Sequence, residues 1–142
     1  WRPSDISKID QVTAKSGNWI ILIKSATNVL KGDNYVFVYP EVLENKVIVR
    51  RGEVITSETL DKNEIDYKNI NSKIQTLLTS TRDKIKLRGS IVKEITTRGD
   101  FIKKIRDSLK ENKNVNYRLE VVSLRDSKLA EQIIVELKIT KL

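Results

Sequence analysis

Residues 17–55 hold the densest run of β-forming residues in this chain, and this run constrains the fold more than any other. Its first segment, residues 19–23 (WIILI), is apolar without alternation. Such a segment is typical of a strand that is buried on both faces, because a half-exposed strand alternates apolar and polar residues. We therefore expect residues 19–23 to lie in the middle of a sheet.

The rest of this run contains clear turn signals. Residues 31–34 (KGDN) predict a turn, and a second strand is expected over residues 35–39, where Pro40 ends it because proline cannot donate to a ladder. A third strand over residues 46–50 is expected to pair back with the second as a hairpin, and Gly52 permits a bend before the next short strand. Together these segments predict a β-meander of three or four strands.

Three aromatic residues, Tyr35, Phe37 and Tyr39, alternate along the second predicted strand and so share one face. One interpretation is structural: the strand is central and buries both faces. The other is functional: the aromatic rings form an exposed platform on which bases stack. The sequence leaves both open.

Helical periodicity follows the meander. Thr56 or Ser57 is expected to cap a helical turn, and residues 66–87 show apolar residues at steps of three and four, which predict a helix that ends at Gly89. An apolar heptad register continues beyond Gly89, which permits one helix of about 50 residues. Two glycines and five β-branched residues oppose that long helix, so we expect a break.

After this break, residues 91–97 predict a short strand or turn, and Asp100 is expected to cap a second helix over residues 101–111. Residues 117–121 and 133–139 then alternate apolar and polar positions, which predicts a hairpin with one solvated face. This hairpin is expected to flank the buried strand at residues 19–23, with both helices covering the apolar face of the sheet.

The predicted fold class is therefore α+β. We expect a small mixed or antiparallel sheet of about five strands, formed by the N-terminal meander and the C-terminal hairpin, packed with two helices. Residues 1–16 are expected to form a linker or arm, and residues 17–142 a single α+β domain, since the length suits one domain. Because Trp1 is not methionine, we expect the chain to be part of a longer protein.

The composition excludes several chemistries. The chain has neither histidine nor cysteine, so zinc, haem and thiol chemistry, and the usual general base of a catalytic triad, are not expected. No glycine-rich phosphate loop is present either. We therefore expect no enzyme, no catalytic or metal-binding residues, no cofactor and no small-molecule substrate.

The formal net charge is +8, and most of the excess lies in residues 61–114, which contain 14 Lys/Arg and 8 Asp/Glu. This basic middle third can bind nucleic acid or an anionic membrane surface, but it is equally typical of the solvated face of lysine-rich helices. The candidate residues for anion or nucleic-acid contact are Arg82, Lys84, Lys86, Arg88, Lys93, Lys103, Lys104 and Arg106.

The segments WIILIKSATNVLKG and NKVIVRRGEVI resemble the C-terminal domain of a bacterial protein family of unknown function, found mainly in cyanobacteria and a few thermophilic lineages. In that family a membrane-anchored N-terminus and long coiled coils precede this domain. The resemblance covers most of residues 17–142 and implies that a coiled coil precedes Trp1. It supplies no catalytic residues.

These observations predict a non-enzymatic assembly or interaction domain that ends a larger coiled-coil protein and acts as a homo-oligomer or docks a protein partner. The alternative function is nucleic-acid binding through the basic middle third. We expect a cytoplasmic location, with any membrane association supplied by parts of the parent protein outside this chain.

Overall fold

A computed structural model describes residues 6–7, 9–11, 18–25, 38–92 and 94–142 and has the predicted α+β class. The chain divides into two compact units, Trp1–Lys46 and Val47–Leu142. The boundary between them falls inside residues 17–142, so the single domain expected there stays a prediction. Residues 6–7 and 9–11, within the expected linker or arm, are helical.

The first unit contains a two-stranded antiparallel ribbon of β1 (Trp19–Ser25) and β2 (Val38–Glu44). The expectation that residues 19–23 form a central strand buried on both faces is wrong. Within the described residues, β1 pairs with β2 alone, and Ile21 and Ile23 are exposed. A run of apolar residues without alternation favours burial of the segment, but it does not identify the element that covers it.

Proline does not end the second strand. Pro40 lies inside β2, opposite Ile23 of β1, and the strand continues to Glu44. Proline is tolerated on an edge strand where its nitrogen needs no partner, and among the described residues β2 has a neighbour on one side only. The predicted turn at residues 31–34 and the aromatic residues Tyr35 and Phe37 lie outside the described residues, whereas Tyr39 is exposed on β2.

The second unit is built on a four-stranded mixed sheet with two helices. Its elements in chain order are β3 (Val47–Val49), β4 (Val54–Leu60), a short 3-10 helix (Lys62–Glu64), α1 (Tyr67–Leu87), β5 (Ile95–Thr97), α2 (Phe101–Glu111), β6 (Tyr117–Ser123), β7 (Ser127–Lys128) and β8 (Ile133–Lys141). The sheet order is β4-β6-β8-β5. Strand β6 is antiparallel to both β4 and β8, and β5 is parallel to β8.

The sheet has one apolar face and one polar face. Along β6 and β8 the buried residues alternate with more exposed ones, as the sequence predicts for a sheet with one solvated side. Helix α1 packs on β4, α2 packs on β8, and the two helices pack on each other. The core between them contains Leu60, Ile70, Ile74, Leu77, Ile85, Phe101, Ile105, Leu109, Leu119, Val121, Val135 and Leu137.

Two pairings differ from the predicted ones. Strand β3 pairs with β7 and not with β2, so the predicted hairpin of the second and third strands is wrong. The predicted hairpin at the C-terminus is present as β6 and β8, but it is flanked by β4 and β5 and not by residues 19–23. The sequence does not identify the partner of a short strand, because two or three paired residues are too few to show a distinctive alternation of apolar and polar positions.

The predicted helical turn after Thr56 or Ser57 is also wrong, because both residues lie in β4. The good capping residue is Asp66, whose carboxylate accepts a hydrogen bond from the Asn69 backbone N–H at 2.8 Å and begins α1. Threonine and serine favour strands and caps alike. Pairing with β6 therefore decides the conformation of this segment.

Glycine ends α1 as predicted. Gly89 has a positive φ of 99°, and the backbone N–H groups of Gly89 and Ser90 donate to the carbonyls of Lys86 and Ile85 at 3.0 and 3.2 Å. This Schellman arrangement satisfies the last carbonyls of a helix and favours glycine. The predicted break after this residue is therefore present, and Asp100 begins α2 by accepting from the Lys103 N–H at 3.1 Å.

We expect Gly89→Ala to lower the free energy of unfolding by about 1–2 kcal/mol, because a side chain is strained at this φ. A Cβ atom at Gly89 would also lie 3.1 Å from Leu129 Cδ2, in the buried side chain of Leu129. Gly52→Ala is the matched control: its φ is 81°, but nothing lies within 4 Å of an added Cβ. Urea denaturation followed by circular dichroism should show the smaller loss for Gly52→Ala, and equal losses would contradict the close approach.

Candidate functional site

The structure describes seven of the eight predicted basic contact residues, and Lys93 lies outside the described residues. On α1, Lys84 Nζ donates to the Ile55 carbonyl at 3.0 Å. Arg88 forms an ion pair with Glu53 at 2.5 Å and also donates to the Ile48 carbonyl at 3.0 Å. The last turns of α1 therefore use these two cations to hold the helix against β3 and β4.

The remaining residues divide between internal contacts and open surface. Arg82 pairs with Glu94 at 3.6 Å, while Lys104 Nζ donates to the Leu137 carbonyl of β8. The Arg106 guanidinium lies over the Tyr67 ring, 5.1 Å from its centroid, in a cation–π contact. The other two described candidates, Lys86 and Lys103, have exposed side chains.

These basic residues do not converge on one patch. Lys84 and Arg88 contact β4 and β3 near the end of α1, whereas Arg106 contacts Tyr67, the first residue of that helix. Tyr67 and Lys84 are separated by roughly 25 Å along the helix axis at 1.5 Å per residue. A count of charged residues in the sequence does not show which of them have partners within the fold. Contact of these eight basic residues with an anion or a nucleic acid stays a prediction.

An apolar surface covers one face of the ribbon in the first unit. Directly opposite residues of an antiparallel pair share a face, and the register places Ile21 opposite Val42 and Ile23 opposite Pro40. We call this surface the ribbon face, and it consists of Trp19, Ile21, Ile23 and Ser25 on β1 and of Val38, Pro40, Val42 and Glu44 on β2. Its three exposed aliphatic members, Ile21, Ile23 and Val38, have 44%, 54% and 40% of their surface accessible.

The opposite face of the ribbon is better covered and carries an ion pair. Ile20, Leu22 and Leu43 are half-buried there, and Lys24 on β1 pairs with Glu41 on β2. The hydrogen bond to Glu41 raises the pKa of Lys24 above its ordinary value, against a smaller opposing effect of burial. Of the charged residues on the ribbon, Lys24 and Glu41 thus lie on this opposite face, and Glu44 lies on the ribbon face, which contains no cation.

A cleft of about 330 Å³ lies between the start of α1 and the end of α2 in the second unit. Ile65, Ile70 and Leu109 supply its apolar lining, and Arg106 and Lys110 are its cations on α2. The cleft can accept an apolar group with a neighbouring negative charge. Arg106, one of the predicted basic contact residues, lines this cleft, and its guanidinium lies over the Tyr67 ring.

No metal centre is present among the described residues, since no three Asp or Glu side chains come close enough to hold an ion. Across the same parts of the chain, no helix is both long and apolar enough to cross a bilayer.

The fold and surfaces define an α+β protein whose four-stranded mixed sheet is covered by two helices on one face. In comparisons with known protein families, with curated proteins and with solved structures, the chain matches none. The resemblance to the membrane-anchored coiled-coil family therefore stays a prediction from the quoted segments.

Proposed function

We propose that this chain is a non-enzymatic interaction domain that self-associates through the ribbon face. The observation that carries the proposal is the exposure of Ile21, Ile23 and Val38, which are 44%, 54% and 40% accessible on one face of a two-stranded ribbon. Adjacent exposed apolar side chains of this kind mark interaction surfaces, because each square ångström of apolar surface gains roughly 25 cal/mol when it leaves water.

A two-stranded ribbon gains more from a partner than a larger sheet does. Isolated hairpins are marginally stable in water, and they become stable when a hydrophobic face is covered. Two ribbon faces packed against each other would bury the same residues on both sides, as in the contact between two sheets. Such a contact is self-complementary, which is the usual basis of a twofold dimer.

Charge favours a second copy at this face over other parts of the surface. The chain carries a net charge of +8, so two copies repel one another through most of their surfaces. The ribbon face contains no cation: its one charged residue is Glu44, and Lys24 lies on the other face, paired with Glu41. Two copies can therefore approach through this face without bringing basic residues together.

The experiment is light scattering after size exclusion over a range of concentrations. We expect a mass of twice 16.4 kDa at high concentration for the wild type, and a dimer dissociation constant raised at least about tenfold by Ile23→Glu, because a charge would have to be buried in the contact. Leu87→Glu is the matched control, since Leu87 is 87% exposed on α1 and lies outside the ribbon. A mass of 16.4 kDa at every concentration, or equal effects of the two variants, would refute self-association at this face.

Nucleic-acid binding through the basic middle third has less support. Lys84, Arg88 and Lys104 donate to backbone carbonyls of their own chain, so binding phosphate would require these contacts to break. The expected place of the domain at the end of a cytoplasmic coiled-coil protein fits self-association better, because such proteins are themselves oligomeric.

A further inference from the structure

A second cavity lies in the unit Val47–Leu142, on the sheet face that the helices do not cover. Its volume is about 410 Å³. Thr96 of β5 and Ile134 of β8 are register partners and form its floor, and their neighbours Ile95 and Ile133 belong to the opposite, buried side. The lining is completed by Arg98, Leu124 and Arg125.

Two arginines line this cavity, and no carboxylate does. Neither Arg98 nor Arg125 forms an ion pair with any residue that the structure describes. The carboxylates nearest to the two arginines in the sequence accept backbone hydrogen bonds: Asp126 accepts from the Arg51 N–H at 2.7 Å, and Asp100 accepts from the Lys103 N–H at 3.1 Å. The two arginines therefore give the cavity lining a formal charge of +2, and no carboxylate among the described residues forms an ion pair with them.

Hydrogen bonds fix the walls of the cavity. Arg125 Nη2 donates to the Gln132 carbonyl, and the Gln132 side-chain amide donates to Thr96 Oγ1. The backbone N–H groups of Arg98 and Leu124 donate to the carbonyls of Val135 and Ile134 at 2.7 and 2.9 Å. The Arg125 guanidinium, held in this way, loses little conformational freedom when a ligand arrives.

Arg125 is placed at a cost to stability. Its Nε is buried, and no described residue accepts a hydrogen bond from it. A buried unpaired donor is unfavourable, and an apolar side chain would fill the same space without that penalty. Buried polar groups without a partner are expected at binding sites, because the ligand and not the stability of the fold determines which side chain is placed there.

We propose that this cavity is a binding site for a small organic oxyanion, in which the Arg98 and Arg125 guanidinium groups hold a carboxylate or phosphate group and Leu124 and Ile134 contact an apolar body. A guanidinium group can donate two parallel hydrogen bonds to a pair of oxygens of a carboxylate or of a phosphate. The volume of about 410 Å³ lies in the range of small-ligand sites, which combine apolar walls with a few polar groups.

The test is isothermal titration calorimetry of the whole chain with benzoate, phenyl phosphate and inorganic phosphate at constant ionic strength. Saturable binding of an organic probe with a dissociation constant below about 1 mM supports the site. Tighter binding of benzoate identifies a carboxylate ligand, and tighter binding of phenyl phosphate identifies a phosphate. Absence of saturation by either organic probe would overturn the proposal, as would inorganic phosphate binding at least as tightly as both.

Variants separate this site from general attraction to a basic protein. Arg98→Gln should weaken binding at least about tenfold, because it removes one guanidinium while leaving the Arg98 backbone hydrogen bond in place. Arg98→Lys should recover only part of the affinity, since lysine keeps the positive charge but cannot donate two parallel hydrogen bonds as a guanidinium does. Arg118→Gln is the matched control, because Arg118 is exposed on β6 and lies outside the cavity lining. Equal weakening by Arg98→Gln and Arg118→Gln would overturn the site, and this readout does not depend on self-association.

Discussion

Replacing Leu137 with alanine is expected to lower the free energy of unfolding by about 2–5 kcal/mol. Leu137 lies on β8, beside Val121 of β6, and 0% of its side chain is exposed to solvent. Truncation removes three carbon atoms, the Cγ and both Cδ atoms, from a packed interior and leaves a cavity, and both effects destabilise the folded state. Since domains are stable by only about 5–15 kcal/mol, this change alone removes a large share.

The measurement is chemical denaturation followed by far-ultraviolet circular dichroism, which reports on α1 and α2 of the second unit. Tryptophan fluorescence would not serve, since both tryptophans, Trp1 and Trp19, lie in the first unit. Leu87→Ala is the control, because it is the same substitution at a side chain that is 87% exposed. Its expected effect is within about 0.5 kcal/mol. A loss of less than about 1 kcal/mol for Leu137→Ala would contradict the packing of the sheet under the helices.

Thr81→Val is expected to lower the free energy of unfolding by about 1–3 kcal/mol. The Thr81 hydroxyl donates to the Leu77 carbonyl at 2.7 Å and lies 2.7 Å from the Thr56 hydroxyl. Because a hydroxyl has one hydrogen, Thr56 must be the donor to Thr81. Valine at position 81 keeps the shape and leaves the buried Thr56 hydroxyl without an acceptor.

The companion variants make this prediction specific. Thr56→Val should cost less, since Thr81 keeps its hydrogen bond to Leu77. The double variant should lie closer to the wild type than Thr81→Val does, because replacing both partners of a buried hydrogen bond removes the unpaired group. Additive losses in the double variant, measured in the same denaturation experiment, would show that the two hydroxyls are not coupled.

Periodicity predicted the helices and the final hairpin well. The apolar residues of α1 and α2 repeat along sequences that also contain their own capping residues, Asp66 and Asp100, and the stop at Gly89. Such signals are local, so one sequence contains them completely. The alternating residues of β6 and β8 are likewise close in the chain and needed no distant partner to be recognised.

The remaining strands depend on distant partners, and the sequence does not identify these. Strand β4 pairs with β6 about 60 residues later, and β3 pairs with β7 across an even longer separation. Residues 56–57 carry the composition of a helix cap, yet the pairing of Thr56 with Val121 places them in a strand. For residues 19–23, composition predicted burial, while the described partner of β1 is β2 alone.

The candidate sites were harder to predict than the fold for the same reason. The basic residues of α1 and α2 are conspicuous in the sequence, but several of them are committed to carbonyls or carboxylates of their own unit. The paired arginines of the proposed oxyanion site, Arg98 and Arg125, are 27 residues apart and belong to separate loops. Only the pairing of β5 with β8 brings these loops to one cavity.

The strand order β4-β6-β8-β5 has a consequence for how this protein can be made. The ribosome delivers the two outer strands first, while the two strands that must lie between them, β6 and β8, emerge after both helices. A nascent chain that ends before β6 contains the outer strands β4 and β5 but not the central strands that pair with them, so α1 and α2 have no complete sheet to pack against. Folding of the second unit during translation is therefore delayed until residues 117–141 have left the exit tunnel, and until then the apolar stripes of α1 and α2 are exposed to chaperones.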